Sequence, residues 1–343
     1  MTGRRLLITG AAGFTGRHAV NYFSAAGAEV IAVVRCATNV SFSAASSTAG
    51  ISAVSAAFSD DVQVYNCDLS DRQAVDQMIK EMAPEEVLHL AGKNSVPESW
   101  NNPLLYMETN VMATLYLLEA MRSLPASRIL VAGSRLKYRP GLAAGPPHPY
   151  SLSKTLEELI SLAWGTMFQQ KVLLAEPCNL IGPGPSTGFC SLLAQHIVRS
   201  EAVAVLDSSS DSVISAMLSP FRLSSRSALR DFLDVRDCIR AYDYILRKGE
   251  NGTIYRIDSG TQRQLGEIAE QLLTQSIAAV PMDWGQDSGD QLAENPVKPA
   301  ALPSATTPEA DVAVLGWTPE IKLTQSLTDI LEYYRASKEG RPI

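Results

Sequence analysis

Cysteine is scarce and scattered in this 343-residue sequence. The five thiols, Cys36, Cys67, Cys178, Cys190 and Cys238, are odd in number and form no Cys-x-x-Cys pair. That excludes a disulfide framework and a zinc site, and no metal centre of another kind is suggested. It leaves buried thiols in a reducing compartment, with no histidine placed to activate one as a nucleophile. Long apolar runs are also missing: none approaches the ~18 residues of a spanning helix, so no membrane partner is expected. Arg4-Arg5 precede only Leu6-Leu7-Ile8, too short a core for an export signal, and a cytoplasmic location is expected. Basic excess is absent too. With 29 Lys and Arg against 36 Asp and Glu the net charge is −7, which disfavours nucleic acid as a partner.

What is present is apolar material in a regular order. Hydrophobic residues make up 46% and charged residues 19%, enough for a packed core and for two structural lobes. Short buried runs at 6–9, 30–34, 62–65, 87–90, 129–132 and 172–175 predict strands. Between them 15–26, 71–82, 103–123 and 150–169 predict helices, and 323–335 predicts a last one. Asp71 after Ser70 and Pro103 after Asn102 are good helix starts. Strand and helix in alternation imply an α/β fold, a doubly wound parallel sheet covered on both faces. Two Ser- and Ala-rich stretches, 38–59 and 207–227, and the polar stretch 285–307 read as surface excursions.

Thr9-Gly10-Ala11-Ala12-Gly13-Phe14-Thr15-Gly16 follows the first strand and opens the first helix. Gly10 permits a tight turn, Gly13 lets a pyrophosphate approach the backbone, and Gly16 lets helix and strand pack closely. The helix N-terminus offers free N–H groups to that phosphate. The turn therefore predicts a dinucleotide site of the Rossmann type. The second strand ends in Arg35 where NAD binders usually carry an acid. A guanidinium there suits a 2′-phosphate, so NADP(H) is favoured over NAD(H), the alternative being a solvated arginine at a loop start. Asp68 follows the third strand and either accepts from an adenine amino group or caps the helix near Asp71.

Pro149-Tyr150-Ser151-Leu152-Ser153-Lys154 opens a predicted helix, and its four-residue spacing puts Tyr150 and Lys154 on one face. A phenol works as an acid–base group near neutrality only beside a cation, which an ammonium supplies. Ser134 ends the fifth strand, where sites of parallel sheets lie, and can hydrogen-bond the same reacting oxygen. Asn110, polar within an apolar helix, either anchors a relay water or is a packing asparagine.

Together these residues, with His89-Leu90-Ala91-Gly92, Ser134 four residues before Tyr138, Glu176-Pro177-Cys178-Asn179-Leu180-Ile181-Gly182-Pro183-Gly184, Arg230-Asp231-Phe232-Leu233-Asp234-Val235-Arg236-Asp237 and Leu315-Gly316-Trp317-Thr318-Pro319, resemble the extended short-chain dehydrogenase/reductase family of nucleotide-sugar enzymes. The likeness spans nearly the whole chain. It implies a Rossmann domain over 1–176 with a return segment near 231–260, and a smaller substrate-binding lobe from 177–230 and 261–343. It implies a cofactor site of Gly10, Gly13, Phe14, Thr15, Gly16, Arg35, Asp68, Leu69, Leu90, Ala91, Gly92, Tyr150, Lys154, Pro177 and Asn179. It places the catalytic roles on Ser134, Tyr150, Lys154 and Asn110, and substrate contacts on Ser95, Asn179, Arg230 and Lys298. Arg230 then grips a diphosphate, unless it pairs with Asp231 or Asp234. Lys298-Pro299 stands where the family often has Arg-Pro. A homodimer paired through the helices at 103–123 and 150–169 is also implied.

The chain departs from the family's dehydratases at Ser134-Arg135-Leu136-Lys137-Tyr138, where those enzymes carry carboxylates that eliminate water. Leu136 can abstract no proton, so dehydration is not expected, and Arg139 follows Tyr138 where glycine is usual. The look is closest to reductases of 4-keto-6-deoxy nucleotide sugars, of the GDP-4-keto-6-deoxy-mannose type. The expected function is NADP(H)-dependent reduction of such a nucleotide-diphosphate sugar. The alternatives are 4-epimerisation with tightly held NAD and a non-catalytic dinucleotide sensor.

Overall fold

A computed structural model describes residues 4–35, 58–140, 145–207, 218–285 and 308–338. The surface excursions expected at 38–59 and 285–307 lie largely outside those residues, as do the first half of the one expected at 207–227 and Lys298. Contacts divide the chain into two compact units. The first comprises described residues within 1–177, 239–257 and 306–317, and the second those within 178–238, 258–305 and 318–343.

The first unit is built on β1 (Arg5–Thr9), β2 (Glu29–Val34), β3 (Gln63–Asn66), β4 (Glu86–His89), β5 (Arg128–Ala132) and β6 (Lys171–Pro177). Except in the edge strand β3, their central residues are almost wholly buried, as strands covered on both faces must be. They form one eight-stranded sheet with two strands that no periodicity announced, β10 (Ile254–Ile257) and β13 (Glu309–Asp311). The order is β13-β10-β6-β5-β4-β1-β2-β3, and every pair is parallel. The chain steps outward from β1 to β3 and then crosses to β4 on the other side of β1. The switch point of this doubly wound sheet therefore lies between β1 and β4, where ligands of such sheets bind beyond the strand ends.

Helices α1 (Phe14–Ala25), α2 (Arg72–Met82), α3 (Val96–Asn101), α4 (Pro103–Tyr106), α5 (Ala113–Met121) and α6 (Pro149–Met167) belong to this unit. Asp71 caps α2, accepting from the amides of Gln73 and Ala74 at 2.9 and 3.2 Å. The single helix expected over 103–123 is instead α4 and α5 joined by a π-helical turn, Met107–Met112, that contains Asn110. The Thr109 hydroxyl donates back to Leu105 O at 2.7 Å within this stretch, the kind of side-chain insertion that accompanies widened turns. Leu7, Val75, Met78, Ile79, Leu117, Ile129 and Val131 pack the core between the sheet and one helical layer.

The second unit has its own core, in which Leu193, Ile197, Phe232, Ile268, Leu272, Leu327 and Leu331 meet. These come from α7 (Phe189–Asp207), β9 (Leu229–Asp234), α9 (Leu265–Leu273) and α10 (Leu323–Lys338), with β7 (Asn179–Ile181), β8 (Phe221–Arg222), β11 (Gln262–Gln264) and β12 (Met282–Asp283). The amphipathic α8 (Val235–Lys248) follows β9 directly. Much of the acidic motif at 231–237 holds this unit together. Asp231 accepts from the Ser259 amide and hydroxyl. Asp234 holds Arg236 through two 2.8 Å bonds and accepts from Ser326 at 2.6 Å. Asp237 accepts from the amides of Glu320 and Ile321 at 2.9 and 2.8 Å.

Candidate active site

At the switch point the β1–α1 turn is pressed against the end of β4. Gly10 has a φ of +68°, and a Cβ there would sit 2.8 Å from the Ala91 amide nitrogen, so only glycine fits. A Cβ on Gly16 would lie 2.1 Å from Gly10 O. Gly13 is the exposed N-cap of α1 in extended conformation, with no side-chain cap and no acid in the first helical turn. Phe14, Thr15 and Gly16 open the helix there, and the uncapped amides fit an anion. Leu90, Ala91 and Gly92 continue from β4 beside this turn. The residues at hand therefore suit the phosphates of a dinucleotide.

Arg35 ends β2 exposed, and Asp68 and Leu69 follow β3, whose residues pair with those of β2. Asp68 accepts from the Ser70 amide and hydroxyl at 3.0 and 2.8 Å, while Asp71 caps the helix. Partial burial opposes ionisation of Asp68, but the Ser70 bonds and the Arg35 charge hold its carboxyl below its ordinary range. Its side chain is exposed and ionised.

Helix α6 starts at the other side of the cleft end of the sheet. His148 caps it, its Nδ1 accepting from the Ser151 amide at 2.9 Å, and its ring stacks on Tyr150 with centroids 6.0 Å apart. Tyr106 meets the Tyr150 ring edge-on at 6.2 Å. The Tyr106 hydroxyl donates to Ser95 O at 2.6 Å, so Ser95, the N-cap of α3, joins the same cluster. One turn along, Lys154 Nζ donates to Ala132 O at 2.9 Å and to Glu157 Oε2 at 2.6 Å. The ammonium is thus fastened to the end of β5, two residues before Ser134, whose Oγ accepts from the Leu136 amide at 3.1 Å.

Asn110 is fully buried and held on both sides. Its Oδ1 accepts from the Lys93 amide at 2.7 Å, and its Nδ2 donates to Lys93 O and Ser153 Oγ, each at 3.0 Å. Among the described residues these protein partners satisfy its amide. Leu136 is 44% exposed and Arg135 is exposed beside it. Lys137 turns inward to ion pairs with Glu158 at 2.5 Å and with Glu176. The carboxylates near the 134–138 loop are thereby committed to lysines.

Residues without an assigned role in the sequence complete this region. His89 Nδ1 lies 2.7 Å from Thr9 Oγ1, and its Nε2 lies 2.9 Å from Thr114 Oγ1. Thr9 Oγ1 already accepts the Leu90 and Ala91 amides, so its own proton points to Nδ1 and the His89 proton sits on Nε2. Burial and the Lys154 charge push His89 down to about 3, so the ring is neutral. Helical spacing was the only signal for the rest: Thr114 is four residues from Asn110, and Glu157 three from Lys154.

Pro177 ends β6 in the first unit, whereas Asn179 and Arg230 belong to the second. Asn179 Nδ2 donates to Asp231 O at 2.9 Å. Arg230 donates to Leu229 O at 2.8 Å, and among the described residues no carboxylate pairs with it, since Asp231 and Asp234 are engaged elsewhere. Its partner in the antiparallel β9–β11 register is Arg263. Two cations directly opposite repel unless an anion lies between them. Arg263 also lines a cavity of about 410 Å³ with Phe232, Asp234, Ser259 and Lys322.

Comparison with known proteins shows the family and the fold. The sequence model of the NAD dependent epimerase/dehydratase family matches residues 6–258. The GDP-6-deoxy-D-mannose reductase of Pseudomonas aeruginosa is 28% identical over 346 aligned residues, covering 96% of each chain. The solved structure of RMD from Pseudomonas aeruginosa complexed with NADPH superposes with a TM-score of 0.68 at 25% identity, covering 97% of this chain and 99% of that one. The UDP-glucose 4-epimerase of Thermus thermophilus, in complex with NAD, shares the fold with a TM-score of 0.72 at 21% identity, covering 97% and 99%. Among the described residues no helix is long and apolar enough to cross a membrane.

Proposed function

The chain belongs to the NAD dependent epimerase/dehydratase family, and we propose that it is an NADP(H)-dependent reductase of a 4-keto-6-deoxy nucleotide-diphosphate sugar. The observation that carries the reading is the convergence, in one compact unit, of the glycine turn, the Lys154 ammonium pinned to the end of β5, and Tyr150 one helical turn away. When bound, the nicotinamide supplies or accepts the hydride. Tyr150 gives its phenolic proton to the sugar's carbonyl oxygen as that carbon is reduced. Lys154 has two of its three N–H groups committed to Ala132 O and Glu157, so one remains for the cofactor ribose and for steadying the phenolate. Ser134 steadies the same oxygen, and Asn110 anchors the wall behind it. Arg35 takes the 2′-phosphate that distinguishes NADP(H).

Arg230 and Arg263 hold the substrate diphosphate, which relieves their mutual repulsion. The similarity to a GDP-6-deoxy-D-mannose reductase supports the sugar class, and the likeness to RMD with NADPH supports the cofactor. Exposed Leu104, Leu159 and Met167 on α4 and α6 support pairing of two copies through those helices. The test is consumption of NADPH with GDP-, dTDP-, UDP- or CDP-linked 4-keto-6-deoxy sugars. Tyr150→Phe is expected to lower kcat by about 10²–10⁴ with little change in cofactor affinity. No NADPH consumption with any of these ketones refutes reduction. NAD copurifying with the protein, without net turnover, identifies epimerisation instead.

A further inference from the structure

The Lys154–Glu157 pair is unusually enclosed. Lys154 is 7% exposed and Glu157 1%, and the partners that continue from Glu157, namely Thr114, His89 and Thr9, are 0–1% exposed. Glu157 Oε1 lies 3.3 Å from the Thr114 hydroxyl, which also reaches Asn110 O at 2.7 Å. Beyond Thr114 the bonds pass through neutral His89 to Thr9 and end on the Leu90 and Ala91 amides. These amides only donate, so that end of the network has no group to pass a proton onward. It can only hold charge and position. A buried ammonium without a carboxylate would be costly, and the charged and titratable groups facing this one are Glu157, Tyr150 and His89. Glu157 alone among them supplies a carboxylate.

We propose that Glu157 is a positioning residue: the fixed counter-ion that keeps Lys154 charged and aimed along α6 below Tyr150. The proposal rests on the reading of Lys154 as part of the active site for its functional meaning, but the ion pair itself is tested without substrate or cofactor. Burial alone lowers the Lys154 pKa, and the Glu157 carboxylate outweighs it, leaving the ammonium above its ordinary value. Glu157→Gln removes that support while keeping the shape. The native state then releases the lysine proton below the unfolded value, so it binds fewer protons than the unfolded chain in the alkaline range, and its stability rises with pH.

The experiment is denaturant unfolding of wild type, Glu157→Gln, Lys154→Met and the double variant at about pH 7 and about pH 9.5. Glu157→Gln is expected to unfold more readily than wild type at the lower pH, with an excess in unfolding constant that shrinks at least about tenfold at the higher one. With Lys154→Met in place, Glu157→Gln is expected to be stabilising, and no less so at the higher pH, because it removes a carboxyl that burial alone holds above its ordinary range. The double variant is expected to be more stable than either single one, because each single variant strands a buried charge. A Glu157→Gln deficit that is the same at both pH values overturns the proposal in favour of a plain packing role. If Glu157→Gln does not fold, the double variant decides: a cooperative fold supports the pairing and its absence overturns it. In the NADPH assay, Glu157→Gln should bring the alkaline limb of kcat down by at least about one pH unit with KM little changed. If no ketone is reduced by the wild type, the functional reading fails while the unfolding result still stands.

Discussion

Alanine at three glycines separates the structural from the binding role of the β1–α1 turn. At Gly16 the new Cβ would stand 2.1 Å from Gly10 O and 2.7 Å from Ala11 Cα, both backbone atoms that cannot swing aside. Helix α1 must then retreat from the sheet by about an ångström, an overpacking that costs about 3 kcal/mol. That is about 4 °C in Tm for a protein of this size. At Gly13 the backbone is extended, with φ −73° and ψ 171°, and alanine adopts it freely. Its Cβ would meet only Gly10 O, at 3.1 Å, so stability should change by less than about 1 kcal/mol. The methyl would nonetheless stand at the uncapped helix start. NADPH affinity is expected to fall by about 10- to 100-fold, equivalent to roughly 1.4–2.8 kcal/mol.

Gly27 is the control. It has a φ of +81° with nothing within 4 Å of a Cβ, so alanine there costs about 1 kcal/mol of left-handed strain and leaves binding alone. Thermal unfolding and fluorescence titration with NADPH read the two quantities separately. If Gly13→Ala bound NADPH as well as wild type, the turn would not be the phosphate site. If Gly16→Ala were as stable as Gly27→Ala, the packing argument would be wrong.

Arg35→Ala is expected to raise the Kd for NADPH by about 10- to 100-fold while leaving that for NADH within about threefold, because only the former carries the 2′-phosphate; equal losses for both would refute the assignment. Arg263→Ala should raise KM for the nucleotide sugar by about tenfold or more with kcat nearly unchanged, and should not reduce Tm, since it relieves repulsion against Arg230; a KM unmoved by this change would place the diphosphate elsewhere. Burial and the neighbouring Glu176 raise Glu158 to about 7 against the pull of Lys137, so the native state holds its proton more tightly than the unfolded chain. That contribution is full below about pH 4.5 and lost as pH rises through about 7, so Glu158→Gln should gain about 1–2 kcal/mol relative to wild type between about pH 5 and about pH 8, read from unfolding midpoints.

Local pattern made part of the molecule readable. The strands at 5–9, 29–34 and 171–177 announced themselves as continuous apolar runs, and the Tyr150–Lys154 face needed only helical spacing. Strands β10 and β13 have four and three residues, too few to show a period, and they exist because β6 offers an open edge. Helix α8 carries Val235, Cys238, Ile239, Tyr242, Ile245 and Leu246 at helical spacing, a signal hidden under the acidic motif that precedes it. Helix α7 buries Cys190, Leu193, Ala194, Ile197 and Val198 at helical spacing, but apolar residues on its other face, such as exposed Leu192 and Val205, blur the stripe. Arg263 could not be singled out at all, since facing Arg230 depends on the register of two strands about thirty residues apart. The neighbouring carboxylates Glu157 and Glu158 look alike in the sequence, yet one meets Lys154 and the other Lys137. The sequence distance between Thr114 and His89 likewise conceals a contact made between helix α5 and the end of β4.

The energetic character of the Lys154–Glu157 pair bears on what kind of protein this is. Buried ion pairs contribute little net stability, and apolar residues of similar volume commonly do as well or better. A chain that only sensed or displayed a dinucleotide would have the glycine turn, Arg35 and the Leu90–Gly92 end of β4 for the purpose, all without a charge enclosed behind Tyr150. The pair, with Thr114 reaching its free carboxylate oxygen, is a costly way to build a helix–sheet contact and a sensible way to keep a cation beside a phenol in a buried site. Acid–base use of Tyr150 explains both the cost and the location. On the same ground the carboxylates nearest the 134–138 loop, Glu158 and Glu176, are paired with Lys137, while Arg135 and Leu136 supply none. Under the proposed reading, the cation kept beside Tyr150 serves the transfer of one proton to one oxygen, which is what reduction of a ketone would ask of the protein.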